Sequence, residues 1–126
     1  MARRVFHLVL LVSADAEKLR RRHSAIRTAG YYALSTDTAD HALTLACKAR
    51  PSVVLADEAL PPRRALALLQ ALRGIELLQD VHVIILGVPD PEDHAHIARD
   101  PHARVHPNAE EDEAGLVNLL RDVLAA

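Results

Sequence analysis

Pro51-Ser52-Val53-Val54-Leu55-Ala56-Asp57-Glu58-Ala59-Leu60-Pro61 is the stretch on which the reading of this chain turns. Its centre, Ser52 to Ala56, is a short apolar run without polar alternation, the pattern of a β-strand covered on both faces. Pro51 closes the preceding helix, and the Pro61-Pro62 pair breaks the chain after the strand. Between them, the run ends on a carboxylate, Asp57. In parallel α/β sheets, ligands and chemistry gather beyond the carboxyl ends of the strands. Asp57 is therefore the first candidate functional residue.

Working outward, the same strand pattern recurs. Val5 to Val12 (VFHLVLLV) is another buried-type run, and Val81 to Leu86 (VHVIIL) a third. Tyr31 to Ser35 and Ala103 to Val105 read as shorter strands. Between them lie helical patterns. The first runs to Ala29, with Leu19, His23 and Ile26 on one face, Ser13 able to cap it and Gly30 to stop it. The second is capped by Thr38 or Asp37 and carries Ala42, Leu43, Leu45, Ala46 and Ala49. Ala65 to Leu72 forms the third, Glu92 to Ala98 a short fourth, and Glu111 to Leu124 the last. Strand and helix alternate five times in 126 residues, which predicts one α/β domain over 1–126: a doubly wound parallel sheet with helices on both faces.

Composition agrees. Half of the residues are hydrophobic, and the aromatics are only Phe6, Tyr31 and Tyr32. Few rings are available to stack on bases, and a net charge of −2 gives no overall pull toward nucleic acid or anionic lipid. The charge is uneven. Arg3, Arg4, Lys18, Arg20, Arg21, Arg22 and Arg27 crowd the front, and Glu110, Glu111, Asp112 and Glu113 the back. Most of this reads as the solvated faces of two helices; the sharper reading is a basic docking surface on the first. Cys47 is the sole cysteine, so no intrachain disulfide forms, and its neighbours place it at a packed helix position. No apolar run is long enough to span a bilayer, and a cytoplasmic setting is expected.

The 51–61 stretch resembles the phosphoacceptor segment of bacterial two-component receiver domains, P-D-L-V-L-L-D-x-x-M-P. Gly30-Tyr31-Tyr32-Ala33-Leu34 resembles that family's G-Y-x-V segment, and Ala42-Leu43 its A-L pair. The resemblance implies a flavodoxin-like (βα)5 sheet in strand order 2-1-3-4-5. It makes Asp57 the counterpart of the aspartate phosphorylated by a histidine kinase. The family's other pocket positions are changed. Its acidic pair falls on Ser13 and Ala14, its Thr or Ser on Gly87, and its Lys on His106, with Pro107 kept and a tight turn expected there.

The expected function is thus a receiver-like signalling module, not an enzyme, with an impaired phosphorylation site and a role in protein–protein contact. The resemblance implies a histidine kinase or regulator as partner, and a possible homodimer through the last-helix region. Mg²⁺ is implied too, but it is normally held by carboxylates that Ser13 and Ala14 do not supply; Asp15 and Asp57 are the weak candidates left. Two alternatives stay open. One is an active receiver phosphorylated on Asp57 with an atypical metal site. The other is a pH- or metal-sensing module built on Asp57 and His106, with His94, His96 and His102 as further histidines. No Gly-rich phosphate loop, G-x-S-x-G elbow or Cys/His couple points to other chemistry.

Overall fold

The apolar runs become the strands of one sheet in the computed structural model, which describes residues 7–61, 64–107 and 113–125. The strands are β1 (Leu8–Val12), β2 (Tyr32–Thr36), β3 (Val53–Asp57), β4 (His82–Leu86) and β5 (Ala103–His106). All pairs are parallel, and the order is β2-β1-β3-β4-β5. The continuous runs lie at the centre: Val9–Val12, Val53–Ala56 and Val83–Leu86 are buried throughout, whereas β2 and β5 at the edges are partly exposed. Val5 and Phe6, expected at the start of the first strand, lie outside the described residues.

The helices are α1 (Ala16–Thr28), α2 (Ala39–Ala49), α3 (Ala65–Arg73), α4 (Pro91–Ala98) and α5 (Glu113–Leu124), with a 3-10 turn at Glu76–Leu78 before β4. Alternation along each strand divides the core into two layers. Val9, Leu11, Val53, Leu55, Ile84 and Leu86 face Ile26 of α1 and Leu116, Leu120 and Val123 of α5. Leu10, Val54, Val83 and Ile85 face Ala42 and Ala46 of α2, Leu68 and Leu72 of α3, and Ile97 of α4. The small residues of α2 and the leucines of α3 fill the second layer, with no aromatic side chain among the described residues.

The chain signals act largely as expected. Thr38 caps α2 through its hydroxyl, and Gly30 follows α1 at φ +99°, a conformation that costs a residue with a Cβ. Pro51 was expected to end α2, but the turn itself is made by Arg50, in the left-handed region at φ 50°. Two expectations need correction. The N-cap of α1 is Asp15, not Ser13. Cys47 is exposed rather than packed, because Ala42 and Ala46 form the inward stripe of α2 and Cys47 follows on the outward side.

Arg73 fastens the far end of the sheet. Its guanidinium donates from Nε and Nη2 to the two oxygens of Asp100, at 2.7 and 3.2 Å, and from Nη1 to the Leu78 carbonyl. Burial disfavours the Asp100 charge, but the Arg73 guanidinium and the His102 amide outweigh it, leaving its carboxyl below the ordinary value of 3.8. Next to this pair, His82 and His102 meet edge to face with ring centroids 5.4 Å apart. Burial lowers the His82 pKa, and the neighbouring His102, Arg104 and Arg73 add to the effect.

Candidate functional site

Asp57 closes β3, two residues beyond Leu55, so its side chain emerges on the α1/α5 side of the sheet. The register sets its neighbours. Val12 pairs with Ala56, which brings Ser13 alongside Asp57; Asp57 pairs with Leu86, and Leu86 with His106. One row across the sheet therefore reads Ser13, Asp57, Leu86, His106.

Ser13 is fully buried, and its hydroxyl donates to Oδ2 of Asp57. The same Oγ accepts the Asp15 amide at 3.1 Å, which fixes the hydroxyl's direction. The other carboxylate oxygen, Oδ1, accepts from Nη1 of Arg22 at 2.6 Å. Arg22 projects from the middle of α1, and its side chain is only 5% exposed, against 15% for Asp57. Both oxygens of Asp57 thus meet donors supplied by the chain itself, and one donor is a full positive charge. Bonds of this charge-assisted kind are among the stronger ones in proteins.

This arginine was read from sequence as part of a solvated helix face. Arg22 is instead buried. Leu19, Arg22 and Ile26 stand at offsets of three and seven, one stripe of a helix, and Ile26 is fully buried. The signal was present: one arginine of a cationic run falls on the apolar stripe, where it needs an internal partner.

Asp15 borders the same cleft, but it serves as the N-cap of α1 and makes no bond to Asp57. Its Oδ1 accepts the amides of Glu17 and Lys18 at 3.0 and 3.1 Å. The Lys18 amide is the main reason its carboxyl sits below the ordinary 3.8; desolvation opposes it, and the Glu17 amide and the Lys18 and Arg21 charges add to the lowering. Ala14, Asp15, Lys18, Asp57, Glu58 and Gly87 are among the residues that line an open cleft over the carboxyl ends of β1, β3 and β4.

The Asp57–His106 pairing on which the sensing alternative depends does not form. One strand, β4, lies between the residues, which puts them two strand spacings apart, roughly 10 Å, and Leu86 stands between them on the same face. An imidazole is too short to cross that gap. His106 Nε2 is instead buried without a hydrogen-bond partner among the described residues. Pro107 follows at the exposed end of β5, and Gly87 N–H donates to the His106 carbonyl at 3.0 Å. Gly87 itself adopts φ +126°, and a Cβ there would meet the Glu58 Cβ at 3.2 Å. The residue is thus required by backbone shape as well as lacking a hydroxyl. His94 and His96 lie exposed on α4, and no three side chains of metal-ligating type converge among the described residues.

The sequence matches no family model, and no curated protein matches it either. Solved structures do match in shape. The chemotaxis response regulator CheY4 of Vibrio cholerae superposes with a TM-score of 0.85 at 20% identity, covering 95% of this chain and all of that one. This chain has the receiver-domain fold. Two further receiver domains fit about as well. One is the signal receiver domain of an HD domain-containing protein from Pseudomonas fluorescens Pf-5 (TM-score 0.84, 22% identity, 99% of this chain and 92% of that one). The other is that of a signal transduction histidine kinase from Syntrophus aciditrophicus (0.82, 18%, 94% and 90%). The strand order expected from the resemblance is the one observed. The three named settings differ, so the receiver fold alone does not assign an output.

Proposed function

We propose that this chain is a receiver-type signalling module of a two-component or phosphorelay system, impaired in phosphorylation, that works through protein–protein contact. The observation that carries this reading is the engagement of both Asp57 oxygens by Arg22 and Ser13.

Forming an aspartyl phosphate requires a carboxylate oxygen to attack phosphorus while negative charge spreads over the transferring group. A divalent cation with open coordination positions serves that charge, and it needs carboxylates to hold it. The residues present do not fit such a cation. Ser13 and Ala14 supply no charge, Asp15 is turned to the α1 amides, and the fixed guanidinium already occupies Asp57. A guanidinium brings one charge and no coordination site. On the far side, His106 is kept away by Leu86, and Gly87 offers no hydroxyl to a phosphate. The partner, by likeness of fold, is a signalling protein such as a histidine kinase or a regulator.

Intact-mass spectrometry after incubation with acetyl phosphate and Mg²⁺ tests the reading. The expected result is an unmodified mass. A stable phosphate adduct that disappears in Asp57→Asn would overturn it.

A further inference from the structure

Arg22 uses the inner face of α1; the outer face carries a different set of arginines. Arg20 and Arg21 are exposed, and across a groove from them α5 presents Arg121, also exposed. The floor between the two helices is shallow and built of small side chains, among them Ala25, Ala114 and Val117. Among the described residues Arg20 has only a weak partner, Glu17 at 3.9 Å, with both side chains more than 70% exposed (77% and 72%). Arg21 and Arg121 pair with no carboxylate among the described residues. Among the described residues a single acid, Glu113, lines the groove with them.

We infer that the α1/α5 groove is the docking surface for an acidic amphipathic helix of a partner protein, whose small-residue stripe seats between the two helices while its Asp and Glu side chains meet Arg20, Arg21 and Arg121. The inference rests on the reading of this chain as a protein-contact module and names the chemistry of its partner.

Three features support it. A furrow between two helices is shaped for a third, and alanines on its floor let a helix axis approach closely. Among the described residues the rim carries three cations against one acid, which selects an acidic occupant and disfavours a second copy, since a twofold contact would set the same cations against each other. The groove is also held in place beforehand: the Arg22–Asp57 pair ties α1 to the sheet, and Ile26 packs with Leu116 and Leu120 of α5 in one core layer. A rigid site loses less entropy on binding. Nucleic acid and anionic membrane fit less well, because the chain as a whole is slightly acidic and the cations flank an apolar furrow rather than a broad face.

A displayed library of single amphipathic helices, each about five turns long, tests the inference. The rim positions are randomised among acidic, basic and neutral residues, and selection is carried out on the intact chain. The expected winners are rich in Asp and Glu and lose about tenfold in affinity against the triple variant R20E/R21E/R121E. Their amide shift changes centre on Ala25 and Val117, and binding weakens as salt rises. Circular dichroism confirms that the triple variant stays folded, as its sites are all exposed. Selection without acidic preference, or shifts mapping to another face, would overturn the inference. So would duplex DNA or anionic vesicles binding equally well through the same arginines. Phosphorylation of Asp57 in the same protein sinks the impaired-receiver reading and leaves these outcomes untouched, so the two failures are distinct.

Discussion

Replacing Arg22 by Met removes the guanidinium while keeping most of the aliphatic stem that packs under α1. What remains is a carboxylate, Asp57, that is 15% exposed and has lost the Arg22 charge paired with it. Breaking a buried ion pair from one side costs about 3–5 kcal/mol, since the remaining charge is left uncompensated. Asp57 keeps the Ser13 hydroxyl and some access to water, which places the cost near the lower end, about 3 kcal/mol. With a urea dependence of roughly 2 kcal/mol per molar for a domain of this size, the unfolding midpoint falls by about 1.5 M. Asp57→Asn is also destabilising, because it strands the buried arginine. The double variant Arg22→Met/Asp57→Asn recovers about 1–3 kcal/mol relative to the sum of the singles. Urea unfolding of the four proteins, followed by far-ultraviolet circular dichroism, measures each corner of the cycle. A loss below about 0.5 kcal/mol for Arg22→Met, or strict additivity of the two singles, refutes the pairing as the feature that organises this pocket.

Other consequences can be checked in the same assay. Gly87→Ser, the change that would restore a hydroxyl, lowers stability by about 1–3 kcal/mol, since φ +126° is unsuited to a side chain and the new Cβ meets Glu58 at 3.2 Å; an unchanged midpoint would show that the turn relaxes freely. Arg73→Ala costs about 2–4 kcal/mol by removing two bonds to Asp100 and one to the Leu78 carbonyl, both charged side chains being largely buried; a loss under about 0.5 kcal/mol contradicts its role as a fastening. His82 binds a proton less readily in the folded protein than at its ordinary value of 6.5, so the unfolded chain takes up more protons and stability falls as pH drops below 6.5. His82→Gln flattens that part of the pH–stability profile, and a profile unchanged by the substitution excludes His82 as the cause.

The fold was legible because each central strand is an uninterrupted apolar run, and a strand buried on both faces leaves little choice but a parallel sheet between helices. Ser52 to Ala56 gave both the strand and the place of Asp57. The site was less legible, for two physical reasons. Arg22 belongs to a row of arginines that look alike in sequence, and only the helical stripe through Leu19 and Ile26 separates the internal one from the exposed ones. The meeting of Ser13 with Asp57, and the failure of His106 to meet it, are matters of register: one row of a sheet places neighbours side by side and sets Leu86 between more distant residues. Gly87 illustrates a third kind of omission. Its missing hydroxyl was visible in the sequence, but its left-handed backbone was not.

The guanidinium beside Asp57 also differs from a bound ion in how it answers to its surroundings. A metal that binds only the folded state stabilises it by an amount that rises with the logarithm of its free concentration, and a chelator removes the effect. Arg22 has no free concentration. It is attached to α1, arrives whenever the domain folds, and leaves only when the domain unfolds. The balance of charge at the end of β3 is therefore a property written into the chain, requiring no ion taken up from solution.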